Sequence, residues 1–289
     1  MTTGPPYLAS DLRARFSLML LLVAVFAVGQ AAAGLLEESV SLLPDTLSVA
    51  LSILAAALVS RPAMGSHTYG WVRVERVSQF IDGFVTLEIA LVVVWLAVSR
   101  LMNPSEVDAT LVLVFALVGV ALYTFGARCI PERATALFAV ELRERLAGGR
   151  VDFLIVAVSA IAIAATGWNR LDAIAALVVS THVMRDATKD LRSSWRVLME
   201  AAPADVDVNA VGVALVGVDG VHEVHDLHIW EISAGFPALS AHILIGTEDS
   251  IAETIDRCTS LLVERFGIEH VTLQVEAEGG DLLEIDVGR

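Results

Sequence analysis

Two rhythms of apolar and polar positions divide the chain. Up to about residue 200 the sequence carries six long apolar stretches, roughly 15–35, 39–60, 77–99, 109–129, 151–168 and 171–191. Each is the length a helix needs to cross a hydrocarbon core of ~30 Å, and together they predict six transmembrane helices. The sixth is the least apolar, because His182, Arg185, Asp186 and Lys189 crowd its second half. It is expected to leave the membrane early and continue as a helix in water. After Pro203 the periods become those of a soluble domain. Residues 205–217 read as a short helix, HEVHDLHIWEI alternates as a strand, SAGFP turns, and ALSAHILIG forms a second strand. SIAETIDRCTSLLVERFG is an amphipathic helix and EHVTLQVEA a third strand. That order, αββαβ, predicts a small α+β domain of ferredoxin-like or metallochaperone-like type, with three strands and helices on one face.

Composition sharpens the division. The 289 residues are 56% hydrophobic, with a mean hydropathy of +0.69, too apolar for a soluble enzyme of this length. Residues 1–200 carry 17 acids against 16 Lys/Arg, whereas residues 201–289 carry 17 acids against 3 Arg. We therefore expect a membrane domain at 1–200 and a separate acidic domain at 201–289. An acidic domain argues against nucleic acid or anionic lipid as its partner and is compatible with cations, although such a surface also serves simply for solubility. The two cysteines, Cys129 and Cys258, form neither a disulfide framework nor a thiolate cluster. The N-terminal segment shows no signal-peptide cleavage pattern.

Arginines set the orientation. Arg13, Arg15, Arg61, Arg73, Arg76 and most of the others fall on one set of connections, and only Arg100 and Arg170 on the opposite set. Both termini are therefore expected in the cytosol, with the chain as a multi-pass protein of the plasma (inner) membrane.

Ionisable groups inside spans are costly and mark functional candidates. The second span carries Asp45 on a polar stripe with Ser41, Ser48 and Ser52. The third carries Asp82 and Glu88, the fifth a stripe of Asp152, Ser159 and Thr166, and the sixth His182. Carboxylates and an imidazole converging between helices would suit a divalent cation. The plainer alternative is that some lie at the interface or pair with Arg143, Arg145 or Arg150. Five of seven histidines, His222, His225, His228, His242 and His270, lie in the tail. On the first strand, His225 is expected to share a face with Leu227 and Ile229, opposite His222 and His228. Histidines on neighbouring strands of one acidic sheet point to a metal site, without zinc-finger spacing. No P-loop, nucleophile elbow, HExxH helix or GxGxxG is present, which argues against an enzyme.

Three segments carry a resemblance. SHTYGWVRVER at 66–76 resembles a loop of the form H-x-Y-G-x-x-R-x-E in the cation diffusion facilitator family. VHDLHIWEI, LSAHILI and FGIEHVTLQVE are similar to that family's cytosolic domain, and SSWRVLMEAAP at 193–203 to its hinge. The resemblance implies a proton-coupled exporter of divalent metal, Zn2+ or in some branches Mn2+, Fe2+ or Co2+, working as a homodimer by alternating access. It places His225, His242 and Glu276 as cytosolic metal ligands, Zn2+ foremost, with His270 as a fourth and His228 nearby. It also matches His67, Arg73 and Glu75 to the loop signature. Metal in the tail would offset repulsion between two acidic domains and favour their closing.

The transmembrane site departs from the family pattern. On the second span the family has His or Asp, three residues, then Asp; here Ser41 precedes Asp45. On the fifth the family has His-x-x-x-Asp, and counting back from Trp168 reaches Arg145 and Gly149, or Leu146 and Arg150. Asp82 stands where the family often has Asn. The expectation is an altered, oxygen-rich site drawn from Asp45, Ser41, Asp152, Asp82 and Glu88, which would favour harder ions than zinc. The alternative is a non-transporting relative, serving as sensor, scaffold or partner subunit, in which Arg145 or Arg150 forms a salt bridge with Asp45 in place of the metal.

Overall fold

The computed structural model describes Val25 and residues 68–129, 137–233, 235–246 and 250–277. The first two expected spans, with Ser41, Asp45 and His67, lie outside the described residues apart from Val25. The chain divides into two compact units between Ser194 and Trp195, a few residues before the composition boundary.

In the first unit, α1 (Arg73–Met102), α2 (Ala109–Cys129), α3 (Leu137–Thr166) and α4 (Arg170–Leu198) correspond to the third to sixth expected spans. Apolar stretches within α1, α2 and α3 are long enough to cross a membrane. α4, expected as the sixth span, is not among these, because His182, Arg185, Asp186 and Lys189 crowd its second half. α3 begins 14 residues earlier than its apolar run, because the polar segment before it, including ELRERLAGGR, also has the composition of a helix.

Small residues bring the helices together. Ala90, Ala116, Ala157 and Ala160 are buried in one cluster with Val112, Val156, Val179 and Val183. With lipid outside, apolar burial alone does not drive association, and close backbone approach through small side chains supplies the packing. At Gly83 of α1 an added Cβ would stand 3.1 Å from the Ala187 carbonyl of α4. At Gly119 of α2 it would stand 2.5 Å from the Phe153 ring of α3, and at Gly149 of α3 2.4 Å from the Tyr123 ring of α2. Tyr123 and Phe153 meet edge to face, with centroids 5.1 Å apart. The two glycines thus let these rings interleave between α2 and α3. A polar link, Ser194 Oγ donating to Gln79 Oε1 at 3.1 Å while Arg76 donates to the same oxygen at 2.6 Å, joins α4 to α1.

The second unit holds α5 (Val208–Val216), β1 (Val221–Ser233), β2 (Phe236–Ile245), α6 (Ile251–Phe266) and β3 (His270–Ala277). This is the expected αββαβ order. β1 pairs antiparallel with β2, and β2 pairs parallel with β3 through the α6 crossover. Local chemistry sets the helix ends. Asp207 caps α5 by accepting from the backbone N–H groups of Asn209 and Ala210. Ser250 accepts from Glu253 N–H to start α6. Gly267, in the left-handed region at φ 67, ends it, and Ile268 N–H reaches back to the Leu262 carbonyl. Leu239, Ala241, Ile243 and Ile245 of β2 point to one face and pack with Val211, Leu215, Cys258 and Leu262 of the helices. Ser240, His242 and Leu244 alternate to the other face, which is where the candidate chemistry sits.

Candidate metal centres

In the tail, His225 of β1 and His242 of β2 are directly paired across the antiparallel ladder, with ring centroids 5.2 Å apart. Glu276, two residues beyond the β3 position paired with His242, brings Oε1 to 3.0 Å from His242 Nδ1. One ligand atom from each of His225, His242 and Glu276 lies within 4.8 Å of the others. Two imidazoles and a carboxylate converging in that span fit a zinc-like divalent ion with a fourth position to fill. No other group of three such side chains is found among the described residues.

Neighbouring groups hold these ligands. Gln274 Nε2 donates to Glu276 Oε1 at 2.8 Å. The Glu223 carboxylate stands 3.6 Å from His225 Nδ1, and Asp226 Oδ2 stands 3.8 Å from His242 Nε2, on the side of that ring away from Glu276. At these distances the Glu223 and Asp226 carboxylates bias the rings through charge and form no hydrogen bond to them.

The strand register corrects the expected face of His225. Asp226 adopts φ 52, and the pairing shifts between His225 and His228, so β1 has an extra residue there, a β-bulge. Val224, Leu227 and Ile229 consequently pack on the helical side, while His225 is turned to the open face with His242. His228 lies outside the group; its largely exposed ring contacts Asp226 at 2.9 Å. His270, expected as a fourth ligand, pairs with Ala238, four positions along the ladder from Gln274, and its ring meets Phe236 at 5.9 Å. Within one chain it stands apart from the other three.

In the first unit the candidates separate. Asp82 is buried and accepts from Arg145, whose other terminal nitrogen donates to Asp190 of α4 at 2.8 Å. Arg145 thus forms the kind of salt bridge the sequence suggested, but with carboxylates of α1 and α4; Asp45, its expected partner, is outside the described residues. Asp152 is buried and meets His182 Nδ1 at 2.8 Å, so its partner is the imidazole of α4 and not Arg150. Ser159 and Thr166 donate to carbonyls of their own helix, at 2.9 and 2.6 Å, and contribute no shared polar site. Glu88 is exposed on α1. Arg73 and Glu75 form the first turn of α1. Sequence reasoning passed over Asp186 and Asp190. Their signal was a four-residue spacing after His182 and Asp186, hidden by reading this part of the span only as too polar.

Comparison with known proteins finds two family signatures along the chain. The family signature described as Cation efflux transmembrane domain matches residues 14–199, and that described as Cation efflux protein, cytoplasmic domain, matches 203–278. The chain is 29% identical over 249 residues to the cadmium, cobalt and zinc/H(+)-K(+) antiporter of Bacillus subtilis, covering 84% of this chain and 80% of that one. It is 28% identical to the metal cation efflux system protein CzcD of Cupriavidus metallidurans, over 89% of this chain and 84% of that one. It is 26% identical to the zinc transporter ZitB of Escherichia coli, over 84% and 78%.

Proposed function

Because this chain belongs to the cation diffusion facilitator family, whose members are metal transporters and not enzymes, we propose that it exports a divalent metal ion across the plasma (inner) membrane. The transmembrane unit carries the ion by alternating access, with protons moving inward in exchange. The acidic tail lies in the cytosol with both termini, and two copies of the chain work as a homodimer.

The observation that carries this reading is the convergence of His225, His242 and Glu276 on the open face of the tail sheet. A metal sensor on a membrane carrier needs such a site. Two imidazole nitrogens and one carboxylate suit Zn2+, and Co2+ next. The names of the similar proteins, which include zinc, cobalt and cadmium, favour the same group of ions over Mn2+ or Fe2+. Ion binding would offset negative charge on both tails and shift their equilibrium toward a closed pair. The non-transporting alternative gains nothing from these relatives, which are named as efflux proteins, an antiporter and a zinc transporter.

A growth assay tests the proposal. In bacterial cells stripped of their own zinc exporters, expression of this chain should raise the zinc concentration that halts growth and lower the zinc content of the cells. Unchanged tolerance and zinc content, with the protein present in the membrane, would refute export of zinc.

A further inference from the structure

A second convergence, between α3 and α4, belongs neither to the tail centre nor to the Arg145 network. His182 and Asp186 are four residues apart on α4, so they project from one face of the helix, one turn apart. Asp152 of α3 meets His182 from the other side. The His182 Nδ1 to Asp152 Oδ1 distance is 2.8 Å, and His182 Nε2 to Asp186 Oδ2 is 3.7 Å. Asp152 is only 8% exposed. A neutral imidazole that donates Nδ1–H to this buried carboxylate has its lone pair on Nε2, toward Asp186. At 3.7 Å the Nε2–Oδ2 pair is too far apart for a hydrogen bond. The separation is close to that of two ligands on one metal, with each bond about 2.0–2.2 Å. Gly148, one turn before Asp152, faces the pair: an added Cβ would sit 3.5 Å from His182 Cε1 and 3.7 Å from Asp186 Oδ2. The backbone of α3 at Gly148 therefore lies against both the His182 ring and the Asp186 carboxylate.

The charge balance is also that of a cation site. Arg145 is committed to Asp82 and Asp190, and Lys189 is directed to Glu144 at 3.9 Å. Among the described residues, no lysine or arginine pairs with Asp152 or Asp186. Two carboxylates flank one imidazole, so acidic groups outnumber basic ones at this convergence.

We propose that His182 Nε2 and the Asp186 carboxylate bind a divalent cation in the transmembrane unit, with Asp152 holding the imidazole ring in the ligating tautomer. One nitrogen and one oxygen ligand suit a borderline ion of the Zn2+ or Co2+ type, with water or further groups completing the shell. Asp152 is then a positioning residue that acts through His182. The role of this site on the path of the ion rests on the transporter reading above; its ability to bind metal does not.

The test uses Co2+ as a visible-absorbing probe, added to the full-length chain in detergent with His225→Ala and His242→Ala removing the tail site. Against that background, His182→Gln should remove one bound Co2+ per chain. Asp186→Asn should weaken its affinity at least ~10-fold, and Asp152→Asn by about 10- to 100-fold, as loss of an orienting carboxylate does. Size-exclusion profiles matching the background protein would show that each variant is folded. Co2+ stoichiometry and affinity unchanged in both His182→Gln and Asp186→Asn would overturn the site. Co2+ flux into proteoliposomes, measured on the parent and the same variants, separates the two proposals. Binding that depends on His182 in a chain that transports nothing would keep the site and sink the transporter reading. Flux without His182-dependent binding would do the reverse.

Discussion

Arg145 on α3 donates to Asp190 on α4 at 2.8 Å, and with its other terminal nitrogen it holds Asp82 on α1. One guanidinium thus ties three helices, and Asp82 at its centre is buried. An arginine offers fixed, divergent donors that a lysine does not, which suits it to serve two carboxylates at once. Removing it takes a charged donor away from the buried Asp82 carboxylate. Arg145→Ala should cost about 3–5 kcal/mol, the usual range when one partner of a buried pair is lost. It should appear as a large fall in the thermal midpoint of the detergent-solubilised protein. Converting Asp82 and Arg145 together to leucine should recover much of that loss; a double variant as unstable as the single one would contradict the pairing.

Tyr123 and Gly149 give a second prediction. The phenol ring of α2 lies over the bare backbone of α3 so closely that a Cβ at Gly149 would come within 2.4 Å of it. Gly149→Asp, at one of the two positions where the spacing expected a carboxylate, should therefore destabilise the protein by at least ~1–3 kcal/mol through overpacking, and should not add a metal site. Thermal unfolding combined with a Co2+ titration would check both halves of the statement. Extra metal binding at unchanged stability would refute it.

In the tail, His242→Ala and Glu276→Ala should each abolish high-affinity Zn2+ binding by the intact chain. Gln274→Ala should weaken it more modestly, about 10-fold, because Gln274 orients Glu276 without itself being a ligand. His270→Ala should leave the affinity of a single chain unchanged, since His270 sits against Phe236 at the far end of β3. Isothermal titration on a chain with His182→Gln in the background isolates these effects. Equal losses from His270→Ala and His242→Ala would restore His270 as a ligand.

Cys258 is fully buried in the tail core, and burial pushes its thiol above the ordinary range. A buried thiolate is disfavoured, so the unfolded chain releases this proton at lower pH than the folded one. The contribution to stability is complete below the unfolded thiol pKa of about 8.5 and is lost as pH rises from there through the folded value. The tail should accordingly lose stability on going from about pH 8 to pH 10 in urea titrations, and Cys258→Val should flatten that slope. In the folded protein Cys258 should also resist alkylation at neutral pH. Rapid labelling without unfolding would contradict its burial.

The tail was largely legible because its signals are local. Alternation, the Ser250 and Gly267 caps of α6 and the acidic composition each act over a few residues. The bulge at Asp226 was not legible, because a left-handed conformation at a residue other than glycine leaves little trace in the sequence. That single residue moved His225 from the expected face to the opposite one. In the first unit, the apolar runs marked where the helices lie but not which polar side chains meet. Arg145 and Asp82 are 63 residues apart, and which helices they join depends on packing through Gly83, Gly119 and Gly149. The pairing of Asp152 with His182, not with nearby Arg150, has the same origin: at that point, α3 and α4 face each other.

Metal flux measured directly gives the clearest test of the account. Proteoliposomes containing the purified chain, with an imposed proton gradient and Zn2+ or Co2+ outside, should accumulate the metal. They should lose that accumulation when the gradient is collapsed and in protein-free controls. Failure to accumulate Zn2+, Co2+, Mn2+ or Fe2+, by folded protein whose tail still binds Zn2+, would contradict the proposed export function.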